Sequence, residues 1–253
     1  MELRKKIEIE YYDREAGQWL ERESKELGSK GGFNSFLLES YIFLKKISKE
    51  KIRGKKVLDY GCGSGLNLEW LSFGAKKVVG IDLSEKSLKI AKKIVLEKKL
   101  DNVELISMDC EKLEFPENSF DVIFDGGTFS SLDINKALPE LKRILKPGGF
   151  IIGIETFGHN PFTNLKRKIN KIRKTRTEWA EGHIIKNKDL GKIKEHFGDI
   201  KVYYFHLISW IAFPFLRFPG GIYILRSLEK LDSFLIFIFP FLKKYSFKIV
   251  FTN

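Results

Sequence analysis

The stretch KKVLDYGCGSG at residues 55–65 decides the fold of this 253-residue chain. Val57 and Leu58 end a short apolar run that predicts a buried strand, and the glycines after them predict a tight turn into a helix. Such a turn lets a ligand approach the backbone near the positive end of the next helix. The residue after Gly65 is Leu66, so the dinucleotide fingerprint G-x-G-x-x-G is incomplete. A nicotinamide dehydrogenase is therefore disfavoured, and no P-loop motif is present.

Further apolar runs follow this strand at short intervals, with helical patterns between them. They are KKVVGIDLS at 76–84, VELISMD at 103–109, FDVIFD at 120–125 and FIIGIET at 150–156. Helices are expected at 33–49, 85–98, 134–145 and 187–197, and later strands at 199–210 and 245–253. Because the strands are continuous apolar runs, they predict an α/β fold with a parallel sheet covered by helices on both faces.

Four aspartates stand at the ends of these strands. Asp59 precedes the glycine turn, and Asp82, Asp109 and Asp125 end the second, third and fourth strands. In a parallel sheet these ends share one edge, the usual place for a ligand crevice. The set would suit a ligand with ribose hydroxyls, an amino group and a positive charge. The alternative is that Asp and Gly merely favour strand ends and turns.

In this order and spacing, VLDYGCGSG, VVGIDLS, MDCEKLEFPENSFDVIFD and LKRILKPGGFIIG resemble the class I S-adenosylmethionine-dependent methyltransferases, of the small-molecule, type 11-like kind. The resemblance covers roughly residues 50–157. It implies a Rossmann-like, seven-stranded, mostly parallel sheet with an antiparallel last strand. It also implies S-adenosylmethionine as cofactor and S-adenosylhomocysteine as product. We expect an N-terminal helical cap at 1–50, a cofactor-binding core at 51–157, and a C-terminal part at 158–253.

The resemblance also assigns roles to individual residues. Asp59, Gly61, Gly63 and Gly65 would wrap the methionine part of the cofactor, and Asp125 and Gly126 would lie near its sulfonium. Asp82 would accept hydrogen bonds from the ribose hydroxyls. Leu83 would lie against the adenine, and Asp109 would accept from the adenine amino group, beside the backbone of Cys110. Tyr11 belongs to a segment that often closes over the cofactor. No metal site is expected, since the chain has only two cysteines.

Three residues are candidates for catalysis at the acceptor. Glu155 and His159 follow the fifth strand, and His183 ends the polar segment after it. A histidine can act as a general base near neutral pH. Each could equally be a structural hydrogen-bonding residue, and a carboxylate or thiolate acceptor would need no base.

Positive charge is concentrated in the last third of the chain. Residues 1–159 hold 27 Lys and Arg against 26 Asp and Glu, whereas residues 160–253 hold 18 against 7. Within a basic insertion at 158–185, Phe162, Leu165, Ile169 and Ile172 recur at helical spacing. An apolar insertion at 211–244 is expected to form a substrate cap with the basic one. This combination suggests an anionic membrane surface, a nucleic acid or an acidic substrate. The alternative is a solvated surface over a cap whose phenylalanines are buried.

The leading hypothesis is a methyltransferase that O- or N-methylates a small-molecule or lipid-linked acceptor. Residues 155–183 also resemble a subgroup from lipid-linked sugar pathways. An RNA methyltransferase is the second hypothesis, disfavoured because no RNA-binding module is visible, and a non-catalytic lipid- or partner-binding scaffold is the third. We expect a cytoplasmic protein, since the start is charged and the longest apolar run, 234–242, is too short to span a bilayer. Peripheral membrane contact stays open.

Overall fold

A computed structural model describes residues 2–25, 37–161, 164–165 and 177–253 of the chain. Within these ranges a single seven-stranded sheet has the order β3-β2-β1-β4-β5-β7-β6. Its strands are β1 (Lys56–Tyr60), β2 (Lys77–Asp82), β3 (Val103–Ser107), β4 (Phe120–Asp125), β5 (Leu145–Thr156), β6 (Lys201–Phe205) and β7 (Lys248–Thr252). Only β7 runs antiparallel to its neighbours, so the predicted fold class is confirmed.

The helices lie on both faces of this sheet. They are α1 (Leu3–Lys25), α2 (Glu39–Ile52), α3 (Leu68–Ser72), α4 (Glu85–Glu97), α5 (Ile134–Ile144), α6 (Glu178–Gly182), α7 (Asn187–Phe197) and α8 (Gly221–Ile238). Ser84 caps α4 because its hydroxyl accepts from the Ser87 N–H, and Asp133 caps α5 in the same way through Asn135. These caps fix where the two helices begin, directly after the strand ends and loops of the sheet edge.

Apolar side chains are buried on both faces of the central strands. One core cluster joins Leu58 and Tyr60 of β1 to side chains of α5 and α7. The other joins Val57 to side chains of α2, α3 and α4. A strand buried on both faces needs apolar residues at successive positions, which is why the strand sequences show no alternation.

Element boundaries differ from the sequence expectations at several places. β5 begins at Leu145 instead of 150 and contains Glu155, which was expected to follow it. The helix expected at 33–49 begins at Glu39 in the described part and continues to Ile52. β3 ends at Ser107, so Asp109 lies in the loop beyond it. The strand expected at 199–210 stops at Phe205, because His206 adopts a left-handed backbone conformation with φ of 61° and the chain then forms a 3₁₀ helix, Ser209–Arg217.

A helical cap was expected at 1–50 with its helix at 33–49, but the structure also has an earlier helix, α1, which is 23 residues long. The positions that it turns inward include Lys5, Glu8 and Tyr12, with Ala16 as the one buried apolar residue of the set. Ile9, Tyr12 and Ala16 recur at helical spacing on this side, but charged residues stand among them, so the apolar periodicity is weak.

The two insertions after β5 and β6 differ in what the structure describes. Most of the predicted basic helix lies outside the described residues, including Lys166, Arg167, Lys168, Lys171, Arg173, Lys174 and Arg176. The apolar insertion is described throughout: α8 follows the first 3₁₀ helix, and a second one, Pro240–Tyr245, leads into β7. Among the described residues, no helix combines the length and apolarity needed to cross a membrane.

The apolar insertion leaves the sheet at its carboxyl edge. β6 is parallel to β5, since both pair antiparallel with β7. The segment after β6 therefore starts at the same edge as the loops after β1, β2, β3 and β4. The edge is shared by the glycine turn on one half and by α8 on the other.

Candidate active site

A cavity of about 460 Å³ lies at the carboxyl ends of β1 to β4, and α1 forms its opposite wall. This volume is in the range of small-molecule sites. From the sheet edge it is lined by Gly61, Cys62, Gly63, Ser64, Leu66, Asn67, Asp82, Leu83, Ser84, Ser87, Asp109, Cys110, Glu111, Gly126, Gly127, Thr128, Ser131 and Leu132, and from α1 by Arg4, Lys5, Glu8, Ile9, Tyr12, Glu15 and Ala16.

The glycine turn forms the floor of the cavity. Gly61 and Gly63 adopt left-handed φ angles of 68° and 52°, which other residues rarely tolerate. A Cβ on Gly61 would lie 2.3 Å from Oγ1 of Thr128, so the turn packs tightly against the loop after β4. A Cβ on Gly63 would meet nothing within 4 Å. The backbone at Gly63 is thus open for close approach by a ligand.

Asp82 is held in position by two backbone groups. Its Oδ2 accepts from the Gly63 N–H at 2.9 Å and its Oδ1 accepts from the Ser84 N–H at 2.8 Å. Burial raises the pKa of Asp82, and the hydrogen bonds from Ser84 and Gly63 oppose that rise. Each carboxylate oxygen keeps a further lone pair. The carboxylate can therefore accept from two adjacent hydroxyls of a ligand.

A cluster of three buried carboxyls lies behind the glycine turn. Burial, with the Asp125 and Asp82 charges adding to it, raises the pKa of Asp59 to about 8. Burial also raises the pKa values of Asp125 and Glu155, which interact directly with each other. Asp125 accepts from the Thr128 N–H at 2.9 Å and Glu155 from the Phe129 N–H at 2.8 Å. The cluster therefore holds protons near neutral pH and fixes the loop after β4.

α1 is attached across the cavity by ion pairs at its N-terminal end. Nζ of Lys5 lies 2.5 Å from Oδ2 of Asp109 and 3.0 Å from Oε2 of Glu111. Arg4 lies 2.6 Å from Glu111 and donates to the carbonyl of Ser131 at 3.1 Å. Burial by itself would lower the pKa of Lys5, but the hydrogen bonds to Asp109 and Glu111 outweigh it and raise that pKa. These pairs hold the helix over the loops after β3 and β4.

Further along α1, hydroxyl groups continue the attachment. Ser84 donates to Oδ1 of Asp13 at 2.6 Å, and the hydroxyls of Tyr12 and Ser131 lie 2.8 Å apart. Together with the ion pairs, these contacts hold residues 4–13 of α1 over the cavity as a lid.

The residues predicted to hold the cofactor divide into two groups. Those that line the cavity are Gly61, Gly63, Asp82, Leu83, Asp109, Cys110 and Gly126. Asp59, Gly65 and Asp125 do not line it: the first and last belong to the buried carboxyl cluster, and Gly65 packs against Leu68 and Ala91. Tyr11 lies on α1 beside the lining residue Tyr12. The cofactor roles of all these residues stay predictions.

None of the three predicted catalytic side chains lines the cavity. Glu155 belongs to the buried carboxyl cluster. His159 accepts through Nε2 from the Asn187 N–H at 3.2 Å, and burial, followed by the nearby charge of Lys186, lowers its pKa. His183 is exposed and stacks on Trp179 with ring centroids 3.6 Å apart. The guanidinium of Arg4 lies 4.4 Å from the centroid of the same indole. His183 is thus connected to the lid, and the base roles stay predictions.

Sequence reasoning missed the wall contributed by α1, namely Arg4, Lys5, Glu8 and Ile9, together with Glu111. The only signal was helical spacing of inward positions that are mostly charged. Because charged residues favour solvent, that spacing resembles an exposed helix. Only the complementary acids at 109 and 111 could have indicated where it packs.

The lining residues fit S-adenosylmethionine. Asp82 would bind the ribose hydroxyls and Gly63 would allow close approach of the cofactor to the backbone. Leu83, Leu132 and Ile9 give the cavity an apolar part suited to adenine. Within the described ranges no cluster of His, Cys, Asp and Glu could hold a metal ion. When bound, the cofactor supplies a methyl group on a positively charged sulfur.

Comparison with known proteins gives the same assignment. Residues 58–153 match the family model described as a methyltransferase domain. Proteins named demethylmenaquinone methyltransferase from Listeria monocytogenes and Geobacillus stearothermophilus are 39% and 38% identical over 111 residues, which is 41% of this chain and 46% of theirs. The chain thus spans about half the length of these curated relatives.

Among solved structures, a SAM-dependent methyltransferase from Aquifex aeolicus is similar with a TM-score of 0.51 and 27% identity, over 68% of this chain and 87% of that one. A phosphoethanolamine N-methyltransferase from Haemonchus contortus, solved with S-adenosylmethionine, is similar with a TM-score of 0.60 over 85% of this chain and 52% of that one. At 21% identity the latter shows the fold alone. Residues 58–153 are therefore a methyltransferase domain, and the domain match and these neighbours together support S-adenosylmethionine as the cofactor.

Proposed function

We propose that this protein transfers the methyl group of S-adenosylmethionine to a small lipophilic acceptor, free or lipid-linked, at a membrane surface. The observation that carries this proposal is the shared sheet edge. The cavity with Asp82 occupies one half of the edge, and the apolar insertion at 211–244 occupies the other. An acceptor with an apolar body could lie between them.

The relatives support the class of acceptor. Their names state that they methylate demethylmenaquinone, which is a lipophilic molecule. The family model ends at residue 153, before both insertions. Acceptor binding would involve those insertions, so the domain match does not indicate which acceptor this chain binds. The residues beyond 160 carry that information. Apolar side chains and the excess of positive charge beyond residue 160 favour an apolar acceptor that carries an anionic group.

The chain's own residues would contribute mainly position and exclusion of water. α1 covers the cavity through Lys5 and Arg4, and Asp82 fixes one side of the site. Holding two reactants in line can supply a large part of the rate acceleration. Proton removal from an acceptor hydroxyl or amine is assigned to His159 or His183, since Glu155 is enclosed in the buried carboxyl cluster. Replacing His159 or His183 by Ala would then lower turnover by roughly 10²–10⁴-fold with cofactor affinity retained.

The test uses cofactor carrying a radiolabelled methyl group, added to membrane and soluble extracts with the purified protein. The products are sorted into lipid, RNA, protein and small-molecule fractions. We expect the label in the lipid fraction. Label in RNA would replace this proposal with the RNA methyltransferase hypothesis. Absence of label, with S-adenosylhomocysteine still bound in calorimetry, would support the non-catalytic scaffold instead.

A further inference from the structure

Helix α8 buries two carboxylates and exposes three aromatic side chains. The positions 225, 229 and 232 recur at helical spacing and face the protein, and two of them are the carboxylates Glu229 and Asp232. The opposite side carries Tyr223, Phe234 and Phe237, which are 76%, 61% and 79% exposed. A helix on the surface of a protein in water normally shows the reverse arrangement. The outer side is therefore suited to an apolar phase.

The two buried carboxylates hold this orientation in place. Asp232 accepts from the N–H groups of Ile208 and Ser209 at 2.8 and 3.2 Å. Glu229 accepts from the N–H of Glu39 at 2.9 Å and pairs with Arg226 at 2.5 Å. Rotating α8 to bury its aromatics would leave these backbone donors without partners. The exposure of the aromatic side is thus built into the fold.

Further exposed aromatic residues stand on either side of α8 in the chain. Phe218 lies before α8, and Phe239 and Phe241 follow it; all three are exposed. We call the exposed aromatic side chains Phe218, Tyr223, Phe234, Phe237, Phe239 and Phe241 the aromatic face. So many exposed large apolar side chains in one segment normally indicate a docking surface.

The charge around the aromatic face is of one sign. Between residues 207 and 248 the only acidic residues are Glu229 and Asp232, and both are buried. Lys230, Lys243 and Lys244 are exposed in the same segment. Aromatic side chains beside lysines, with no exposed acid, match the interface of a bilayer that contains anionic lipids.

We infer that the aromatic face docks on an anionic lipid bilayer, with the exposed lysines at the headgroups. The inference rests on the proposed function in one respect: docking would serve to bring the cofactor cavity to a lipophilic acceptor. A second copy of the chain fits less well, since two such faces would bring lysines of like charge together.

The test is sedimentation of the full chain with vesicles of phosphatidylcholine alone or mixed with phosphatidylglycerol. We expect binding to the mixed vesicles at least roughly tenfold stronger than to phosphatidylcholine. The variant Tyr223→Ser/Phe234→Ser/Phe237→Ser should lower that binding by a similar factor. Lys243→Glu/Lys244→Glu should also weaken it, and more strongly at low salt.

Matched controls come from exposed residues elsewhere in the chain. Phe73 is 79% exposed, as Phe237 is, and Lys89 and Lys92 are exposed on α4. Phe73→Ser and Lys89→Glu/Lys92→Glu should leave vesicle binding unchanged. Calorimetry with S-adenosylhomocysteine shows that each variant is folded and binds cofactor, so failure of the surface assignment is separated from failure of the proposed function.

Equal binding to both vesicle types, or full binding by the triple serine variant, would overturn the inference. So would a dimer in light scattering that the triple serine variant converts to a monomer, because the aromatic face would then be an interface between copies of the chain.

Discussion

Each half of the sheet's carboxyl edge has a carboxylate bound to backbone N–H groups, but the two carboxylates serve different purposes. Beside β1 to β4, Asp82 faces a cavity, and its acceptor capacity is left available to a ligand. Beside β6, Asp232 is bound to backbone N–H groups of its own chain and fixes a helix whose aromatic side faces outward. Each carboxylate accepts from two backbone N–H groups, so the difference lies in what remains accessible. A carboxylate that faces open space can also bind a ligand, whereas one that is enclosed by its own chain only holds the fold.

The largest effect should come from removing the carboxylate on the cavity side. Asp82→Ala removes the acceptor for two ligand hydroxyls, and charge-assisted hydrogen bonds are worth about 1.5–3 kcal/mol each. We expect the affinity for S-adenosylhomocysteine in calorimetry to fall by roughly tenfold or more, with the circular dichroism spectrum retained. Asp101→Ala, at an exposed position, is the control. Unchanged affinity in Asp82→Ala would remove this side chain from the cofactor site.

On the other half, removing the engaged carboxylate should affect stability instead of cofactor affinity. Asp232→Ala leaves the N–H groups of Ile208 and Ser209 unpaired, at about 1–3 kcal/mol for each buried group. We expect the free energy of unfolding in guanidinium to fall by about 2–4 kcal/mol. Cofactor affinity in Asp232→Ala should equal that of the wild type. A loss of cofactor affinity without a loss of stability would contradict the distinction between the halves.

The two halves should also respond to pH in opposite directions. Burial, with the Asp125 charge adding, raises the pKa of Asp59 to about 8, so the folded state keeps a proton that the unfolded state releases. Stability from this group is therefore lost as pH rises from about 4 to 8, by up to about 1 kcal/mol per pH unit. Asp59→Asn should flatten that loss in guanidinium titrations. An equal pH slope in Asp59→Asn would show that this carboxyl is ionised in the fold.

His206 gives the reverse slope. Burial, with Lys248 and Arg226 adding, lowers its pKa to about 3, and its ring bonds to the hydroxyls of Ser40 and Ser209. The unfolded state takes up a proton below about pH 6.5, so stability falls as pH decreases from there toward 3. His206→Asn, which tolerates the left-handed backbone at this position, should remove part of the acid slope. Retention of the full slope would assign it to other groups.

The smallest effect is expected at the lid. Lys5→Ala removes one partly buried pair with Asp109 and Glu111, worth about 1 kcal/mol. We expect the affinity for S-adenosylhomocysteine to fall by roughly threefold to tenfold, through faster release measured by stopped flow. Lys6→Ala, on the exposed side of α1, is the matched control. Equal release rates in both variants would show that the ion pair does not retain the cofactor.

The sequence was sufficient to predict the half of the edge that carries the cavity, but it was insufficient to predict the helix that covers the cavity. Strand ends and glycines have strong local signatures, so the sheet, the turn at Gly61 and Gly63, and the placement of Asp82 could be predicted. The position of helix α1 could not, because Arg4 and Lys5 face inward only where the fold brings Asp109 and Glu111 within reach of them. For α8 the sequence did not decide whether the aromatic side chains are buried or exposed. Their exposure depends on the N–H groups of residues 208 and 209, which meet Asp232 only in the folded protein.

The comparison between the halves is tested most directly by hydrogen–deuterium exchange with each partner in turn. With S-adenosylhomocysteine we predict slower amide exchange in residues 3–16 and 61–67 and in the loop at 82–84, while 221–241 is unchanged. With phosphatidylglycerol vesicles we predict slower exchange in 221–241 while 61–67 is unchanged. Protection of 221–241 by S-adenosylhomocysteine alone, or no protection at 61–67 in a folded protein that contains the cofactor at saturating concentration, would contradict the account.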